Sequence, residues 1–374
     1  MHVKNLLQLS LLPALVAAHP GHEEKLATRE LLNYKAHLRR GLDNCARSFE
    51  ESGLNARAIS RRAELAKAHS KHRNAARDTD DVLNTDHQSS ENYTLDTSAD
   101  EIFGASSTCV LNPEGEIGPF WVSGELVRTD VVDDEPGVPL VLELQFVDVS
   151  TCQPIAALYA DTWSCNSTGV YSGVQGNGNG DDSDDSILQE TFLRGIGETD
   201  EDGVVTFTAA FPGHYAGRAT HHHVLAHLNA TLLANNTLTG GQIPHIGQLF
   251  WDQELIYAVE ALEPYNTNTV EITTNEADRV FSTETSGTTS DPVINYVYLG
   301  DSLEDGLLGW VTVAIDLSQD YSTSYSYVWT ADGSEAVSGG SGDSANGGGG
   351  GGGGGAPSGD TTGAPTGGPT GAGF

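Results

Sequence analysis

Within the stretch Pro212–His223 (PGHYAGRATHHH) the chain concentrates a phenol, a guanidinium and an H-x-H pair. On an extended strand successive side chains alternate faces, so His221 and His223 share one face and His222 takes the other. Two imidazoles on one face, about 7 Å apart at the backbone, can converge on one metal ion. Tyr215, a few residues upstream, offers a third ligand, and Arg218 places a fixed positive charge beside them that suits an anionic substrate. These residue types in this order point to a metal-centred enzyme.

Elements able to hold such a set lie between residues 106 and 318. Short alternating runs, among them Leu140–Val147, Val204–Thr208, Thr269–Thr273 and Leu308–Ile315, are separated by turn-forming clusters such as Asp200–Gly203. This pattern predicts a mainly β fold, a β-sandwich of about 200 residues. Upstream, Leu26, Leu31, Leu32, Leu38, Leu42, Ile59, Leu65 and Ala66 recur among basic residues, punctuated at Gly41 and Ser52-Gly53. Residues 19–77 therefore read as a basic helical segment of two or three short helices, followed by an acidic linker at 78–105. Arg61-Arg62 is a dibasic pair, and two readings of the segment stand side by side. It is a cleavable pro-region, or an arm that packs on the body or on a partner subunit, as in a homodimer. Residues 319–374 are a low-complexity Ser/Thr/Gly-rich tail, with glycine throughout 347–355, and are expected to be disordered.

Residues 1–18, with Lys4 ahead of an apolar run from Leu6 to Ala18, read as a secretory signal peptide, and no later run has the length of a membrane span. Sequons at Asn92, Asn166, Asn229 and Asn235 fit a secreted, extracellular glycoprotein. The formal net charge is −34, unevenly spread: residues 1–77 hold 14 Lys+Arg against 7 Asp+Glu, and residues 78–374 hold 4 against 45. Such an acidic body argues against nucleic acid and anionic membranes as partners. Its basic residues are Arg128, Arg194, Arg218 and Arg279, so the placement of one of them three residues before His221 is notable. Cys45, Cys109, Cys152 and Cys165 allow two disulfides in an oxidising compartment, with three pairings open, and their spacing does not resemble a zinc site.

A second tyrosine motif lies upstream, from Trp163 through Gly169 to Tyr171. Together with Gly118-Pro-Phe120, the Pro212–His223 stretch and Gln248, in that order, it closely resembles the intradiol ring-cleavage dioxygenases, especially their secreted fungal members. The resemblance covers roughly residues 109–317. It implies a mononuclear non-haem Fe(III) held by Tyr171, Tyr215, His221 and His223, with a catechol-type molecule and O2 as substrates. Hard phenolates favour ferric iron, and neutral imidazoles complete the set. The resemblance further implies that Tyr215 takes up a proton as substrate binds, that Arg218 stabilises developing negative charge, and that Gln248 helps orient the substrate. Cleavage between the two oxygenated carbons would give a muconate-type diacid.

Some positions depart from the family pattern. Phe120 and Trp121 stand where many members have tyrosines, which bears on substrate preference, and His222 replaces an aliphatic residue. The segment Gly176–Asp185 (GNGNGDDSDD) reads as an acidic flap near the site mouth, its acidic run as a solvated loop rather than a calcium site. His214, His227 and His245 are not required as ligands. Two other readings remain: a non-catalytic secreted β-sandwich binding aromatic or carbohydrate ligands, and a copper-dependent oxidative enzyme using His19 as the new N-terminus.

Overall fold

The computed structural model describes residues 28–70, 99–103, 108–109 and 117–337, apart from 177, 181–182, 286–290 and 324. The helices are α1 (Thr28–Glu51), α2 (Leu54–His69), α3 (Ala99–Phe103), α4 (Gln253–Glu260) and α5 (Arg279–Thr285). The strands run β1 (Thr108–Cys109), β2 (Val122–Ser123), β3 (Pro139–Asp148), β4 (Gln153–Pro154), β5 (Tyr159–Trp163), β6 (Arg194–Glu198), β7 (Val204–Ala210) and β8 (His221–Leu228). They continue with β9 (Thr231–Leu232), β10 (Leu238–Thr239), β11 (Gln242–Phe250), β12 (Asn295–Tyr298), β13 (Leu307–Ile315), β14 (Tyr327–Thr330) and β15 (Gly333–Ala336). The expected mainly β fold with N-terminal helices is present.

Two sheets enclose the core. In one, β13 runs parallel to β3 and β1 and antiparallel to β12, while β3 also pairs antiparallel with β7 and β4. The other is antiparallel throughout, in the order β11-β8-β5-β6. Alternation along β3 explains how the layers assemble. Leu140, Leu142, Leu144 and Phe146 point into the core between the sheets, beside Phe207, Trp251 and Ile315. The intervening residues face the helices: Val141 packs with Phe103, Trp310 and Ile59, and Val147 with Leu38, Cys45 and Phe49. A strand covered on both faces is buried along nearly its whole length, which is why β3 reads as almost continuously apolar.

The α1–α2 hairpin is joined to the sandwich by chemistry as well as packing. Cys45 and Cys152 form a disulfide across 107 residues of sequence. Glu143, whose side chain is fully buried on β3, accepts from Arg62 Nε at 2.8 Å and from Arg61 Nε at 2.9 Å. Arg57 Nε pairs with Asp202 at 2.9 Å. The dibasic pair of the sequence is therefore an Arg–Glu–Arg triad between hairpin and sheet.

Three local expectations are corrected. Gly41 does not interrupt a helix; α1 runs through it, because a Cβ there would lie 2.9 Å from Val149 Cβ and its absence lets the helix approach the body. The break at Gly53, with φ 70, is where expected. The run Thr269–Thr273 forms no strand: it has no partner edge, and its Val270 carbonyl accepts instead from His214 Nε2 at 2.8 Å. The ordered chain also continues past residue 318, where β14 pairs parallel with β2 and antiparallel with β15. Tyr327 packs there with Phe120, Trp121 and Tyr171, an apolar contact that ties the hairpin to the body. Residues 1–27 and 338–374, on which the expected signal peptide, His19 and the glycine run fall, lie outside the described residues, as does Asn92.

Candidate metal centre

Register in the antiparallel sheet puts four side chains in one row. Gln248 on β11 lies opposite His223 on β8, His223 opposite Trp163 on β5, and Trp163 opposite Arg194 on β6. His223 stacks on Trp163, with ring centroids 4.6 Å apart and planes 8° from parallel. His221 shares that face, whereas His222 points to the opposite one, against Trp251. Burial pushes the His222 pKa down to about 3, so it stays neutral as a core residue. The alternation expected from H-x-H is what the strand delivers.

The two tyrosines come from loops that meet at this face. Tyr171 follows Gly169, whose φ is 84 and at which a Cβ would meet the His214 carbonyl at 2.1 Å, so only glycine brings these two loops together. Tyr215 sits on a narrow turn closed by a bridge to Arg218 around Gly217. The Tyr215 hydroxyl lies 3.4 Å from His221 Nε2, which lies 3.1 Å from His223 Nε2. The Tyr171 ring is 5.6 Å from that of Tyr215 and 6.2 Å from that of His223, centroid to centroid. All four side chains named from the sequence thus converge on one point, closed off by buried packing except on the side of Tyr215, where Ala216 and Gly217 are exposed.

Several features of this cluster fit a cation. His221 Nδ1 donates to the Ala219 carbonyl at 2.5 Å, which leaves Nε2 as a lone-pair donor. Two such nitrogens at 3.1 Å repel each other unless a proton or a cation lies between them. The Tyr171 hydroxyl is fully buried and makes no hydrogen bond of ordinary geometry, although the neighbouring Tyr215 phenol perturbs it. Burial raises the Tyr171 pKa far above the ordinary phenol value and that of Tyr215 to about 12, the latter opposed by Arg218. Protein groups alone keep both phenols protonated at neutral pH, and a coordinated multivalent cation is what would ionise them. Two phenols and two imidazoles form a donor set for a hard, highly charged ion such as Fe(III).

Arg218 and Gln248 flank the cluster. Arg218 Nε donates to Asp278 Oδ2 at 2.8 Å and an Nη donates to Gln248 Oε1, while Nη1 is buried without a hydrogen-bond partner. Burial works against its charge, and the nearby Tyr215 and Asp278 more than offset that, so the guanidinium stays protonated. Asp278 also accepts from the backbone N–H groups of Ala219 and Phe281. Phe120 stacks on Tyr171 at 4.6 Å and meets Tyr215 edge-on at 5.7 Å, making an apolar wall without a hydroxyl. His214 is held by Glu260 and Val270, and His227 lies 3.5 Å from Asp161. His245 is buried on β11 with its pKa lowered by burial to about 3. Cys165 is a free thiol under the site, donating to the Gly213 carbonyl, so it forms none of the expected disulfides.

Sequence reasoning missed three supports of this site. Asp278 lies 60 residues from Arg218 with no local motif to mark it. Asn179 bonds the backbone of Tyr171 from within the presumed flap. Arg194 pairs with buried Glu125 at 2.9 Å and lies over the Tyr171 ring at 5.8 Å. The scarcity of basic residues in the body was the signal that could have singled out Arg194.

Two phenols and two imidazoles thus meet on the antiparallel sheet of a β-sandwich. Among solved structures, the chain is similar to an intradiol ring-cleavage dioxygenase from Tetranychus urticae, at 31% identity over 57% of this chain and 96% of that one, with a TM-score of 0.47. It is equally similar to the dioxygenase Tetur07g02040, at 31% identity over 59% of this chain and 100% of that one, with a TM-score of 0.47. A catechol 1,2-dioxygenase from Pseudomonas arvilla C-1 shares 16% identity over 55% and 63% of the two chains, with a TM-score of 0.35. No protein-family model matches the chain, and no curated protein does. Identity of 31% across 96% of the Tetranychus urticae chain carries the assignment: the chain belongs to the intradiol ring-cleavage dioxygenase family.

Proposed function

We propose that this ring-cleaving dioxygenase is a secreted Fe(III) enzyme. It inserts both atoms of O2 into a catechol-type aromatic, breaks the bond between the two hydroxylated carbons and gives a muconate-type diacid. The observation that carries this reading is the convergence of Tyr171, Tyr215, His221 and His223, with the two histidine Nε2 atoms 3.1 Å apart. A ferric ion held by Tyr171, Tyr215, His221 and His223 would supply Lewis acidity that ionises the phenols and activates a catechol-type substrate.

The residues of the chain supply the rest. Tyr215, the ligand on the exposed turn and the phenol with a pKa near 12, is the base that accepts a catechol proton as the substrate binds. Tyr171, buried and backed by Phe120, stays in place. Arg218, held by Asp278, presents its unpartnered Nη1 to negative charge developing on the ring oxygens. Gln248, held by the same guanidinium, orients the substrate. The Phe120 wall favours rings without a charged substituent on that side. What supports secretion is the apolar run within residues 1–18, together with Asn229 and Asn235, both exposed around the β9–β10 hairpin; the Asn166 amide is engaged with Glu135.

The test is metal analysis with a visible spectrum on the secreted protein, before and after anaerobic addition of catechol. One iron per chain, with a broad tyrosinate-to-iron band that shifts on catechol addition, is the expected result. A colourless protein that takes up no ferric ion would leave the non-catalytic binding sandwich as the better reading.

A further inference from the structure

Tyr171 lies outside every strand, between β5 and β6, so its backbone N–H and C=O have no ladder partner and, being buried, each needs one. A single side chain supplies both. Asn179 Oδ1 accepts from Tyr171 N–H at 2.7 Å, and Asn179 Nδ2 donates to the Tyr171 carbonyl and to the Val174 carbonyl, both at 2.8 Å. Asn179 is itself 3% exposed, with its backbone N–H bonded to the Gly176 carbonyl. Gly176, Gly178 and Gly180 take φ of 95, 75 and 65, the left-handed turns that curl the loop back until the amide reaches Tyr171. A Cβ on Gly180 would come within 3.1 Å of the Val170 side chain. On the other side Arg194 Nε donates to the carbonyl and hydroxyl of Ser172, the next residue. The segment that reads in sequence as a flap is, at its start, a tight clamp.

We propose that Asn179 is a positioning residue for Tyr171: the glycine-turned loop fixes the backbone of this one phenol so that its oxygen stays aimed at the two histidines. Tyr215 sits instead on a turn exposed at Ala216 and Gly217, its carbonyl accepting from the Arg218 N–H at 3.4 Å. The inference rests on the metal reading above, and its test separates the two. Asn179→Ala should lower ferric affinity, measured against a competing chelator, and turnover by about 10–100-fold, the usual cost of losing a group that orients a metal ligand. It should also move the tyrosinate-to-iron band, and in the metal-free protein it should speed hydrogen exchange at the Tyr171 amide.

Should wild type bind iron and show the band while Asn179→Ala matches it in affinity, band position and turnover, the clamp is wrong and the metal reading stands. Should wild type bind no iron, the metal reading fails, and the exchange rate at Tyr171 alone decides the clamp: unchanged exchange overturns it. A fall in melting temperature with affinity and band intact marks Asn179 as a fold contact only and also overturns the proposal. Where Asn179→Ala does not fold, Gly178→Ala replaces it. Its methyl would meet nothing within 4 Å, so it acts by straining the left-handed turn. It should give the same band movement and weaker iron, and wild-type values would overturn the clamp.

Discussion

Replacing Glu143 with leucine should uncouple the N-terminal hairpin from the sandwich. The carboxylate is fully buried and shared by two guanidiniums, one of which, Arg62, is 4% exposed, lies 5.6 Å from the Trp310 ring and donates to the Phe103 carbonyl at 3.2 Å. Burial already works to lower the Arg62 pKa, with the Glu143 charge opposing it. Glu143→Leu leaves that guanidinium buried without its counter-charge, whereas Arg61, 3.6 Å from Asp202 and with its side chain 21% exposed, can turn outward. Breaking a buried pair by removing one partner costs about 3–5 kcal/mol. At about 2 °C per kcal/mol, the figure for the largest single domains, that is about 6–10 °C of melting temperature. Calorimetry at matched pH reads it directly. The counter-experiment is the triple replacement of Arg61, Arg62 and Glu143 by apolar residues of similar volume. It should recover most of the loss, because the desolvation of all three charges vanishes together.

The same variant bears on the fate of the hairpin. In the wild-type protein the bonds after Arg61 and Arg62 sit in the middle of α2 with both side chains engaged, so trypsin should spare them in the folded state. Glu143→Leu should expose them, and the cut should show only after reduction, since Cys45–Cys152 still tethers the fragment. A Glu143→Leu protein that melts within about 2 °C of wild type, a shift of under about 1 kcal/mol, would refute the reasoning and restore a hairpin that merely rests on the sheet.

Other outcomes follow from the site. Tyr215→Phe should lower turnover about 100-fold or more and shift the visible band, since the variant loses both a ligand and the proton acceptor; rapid-mixing kinetics with catechol checks it. Arg218→Ala should keep iron but lower turnover about 10²–10³-fold, and Asp278→Asn should reproduce part of that loss through the slackened guanidinium, read as kcat falling more than KM rises. Stability should fall in acid: His222 and His245 have folded pKa values near 3, depressed by burial, so their contribution is intact above about 6.5 and is lost as pH drops toward 3. Glu125 and Asp161 oppose this, since burial raises both, Asp161 to about 6, and their contribution is lost as pH rises through that range. Denaturant unfolding at about pH 7.5 and about pH 5.5 should show roughly 1.4 kcal/mol lost per histidine, and His245→Phe should remove one share.

How much of this was legible in the sequence depended on distance along the chain. His221, His223, Tyr215 and Arg218 lie within one short motif, and strand alternation alone orients the histidines. Tyr171 needed the second motif, and its place beside Tyr215 rests on a glycine whose reason, the approach of the His214 carbonyl, is a contact between two loops. Asp278 was not legible, because nothing near it in sequence marks a carboxylate that two backbone N–H groups and a guanidinium share. Gly41 misled for a related reason: glycine signals a helix break locally, but here it lets α1 touch Val149.

The charge division of the chain carries a further argument. Read as a sequence, a basic segment ahead of an acidic body admitted both a disposable pro-region and an arm. In the folded chain the two signs meet: Arg57 and Arg61 reach Asp202, and Arg61 and Arg62 reach Glu143. The body spends its own few arginines in the same manner. Arg128 pairs with Asp133, Arg194 with Glu125 and Arg218 with Asp278, and the last two lie against the tyrosines of the candidate centre. Arg194 and Arg218 each meet a buried carboxylate and a phenol, whereas Arg128 and Asp133 form a partly exposed pair. The basic hairpin then does for the outer face of β3 what Arg194 and Arg218 do for the site: it supplies the positive charge that lets Glu143 be buried there.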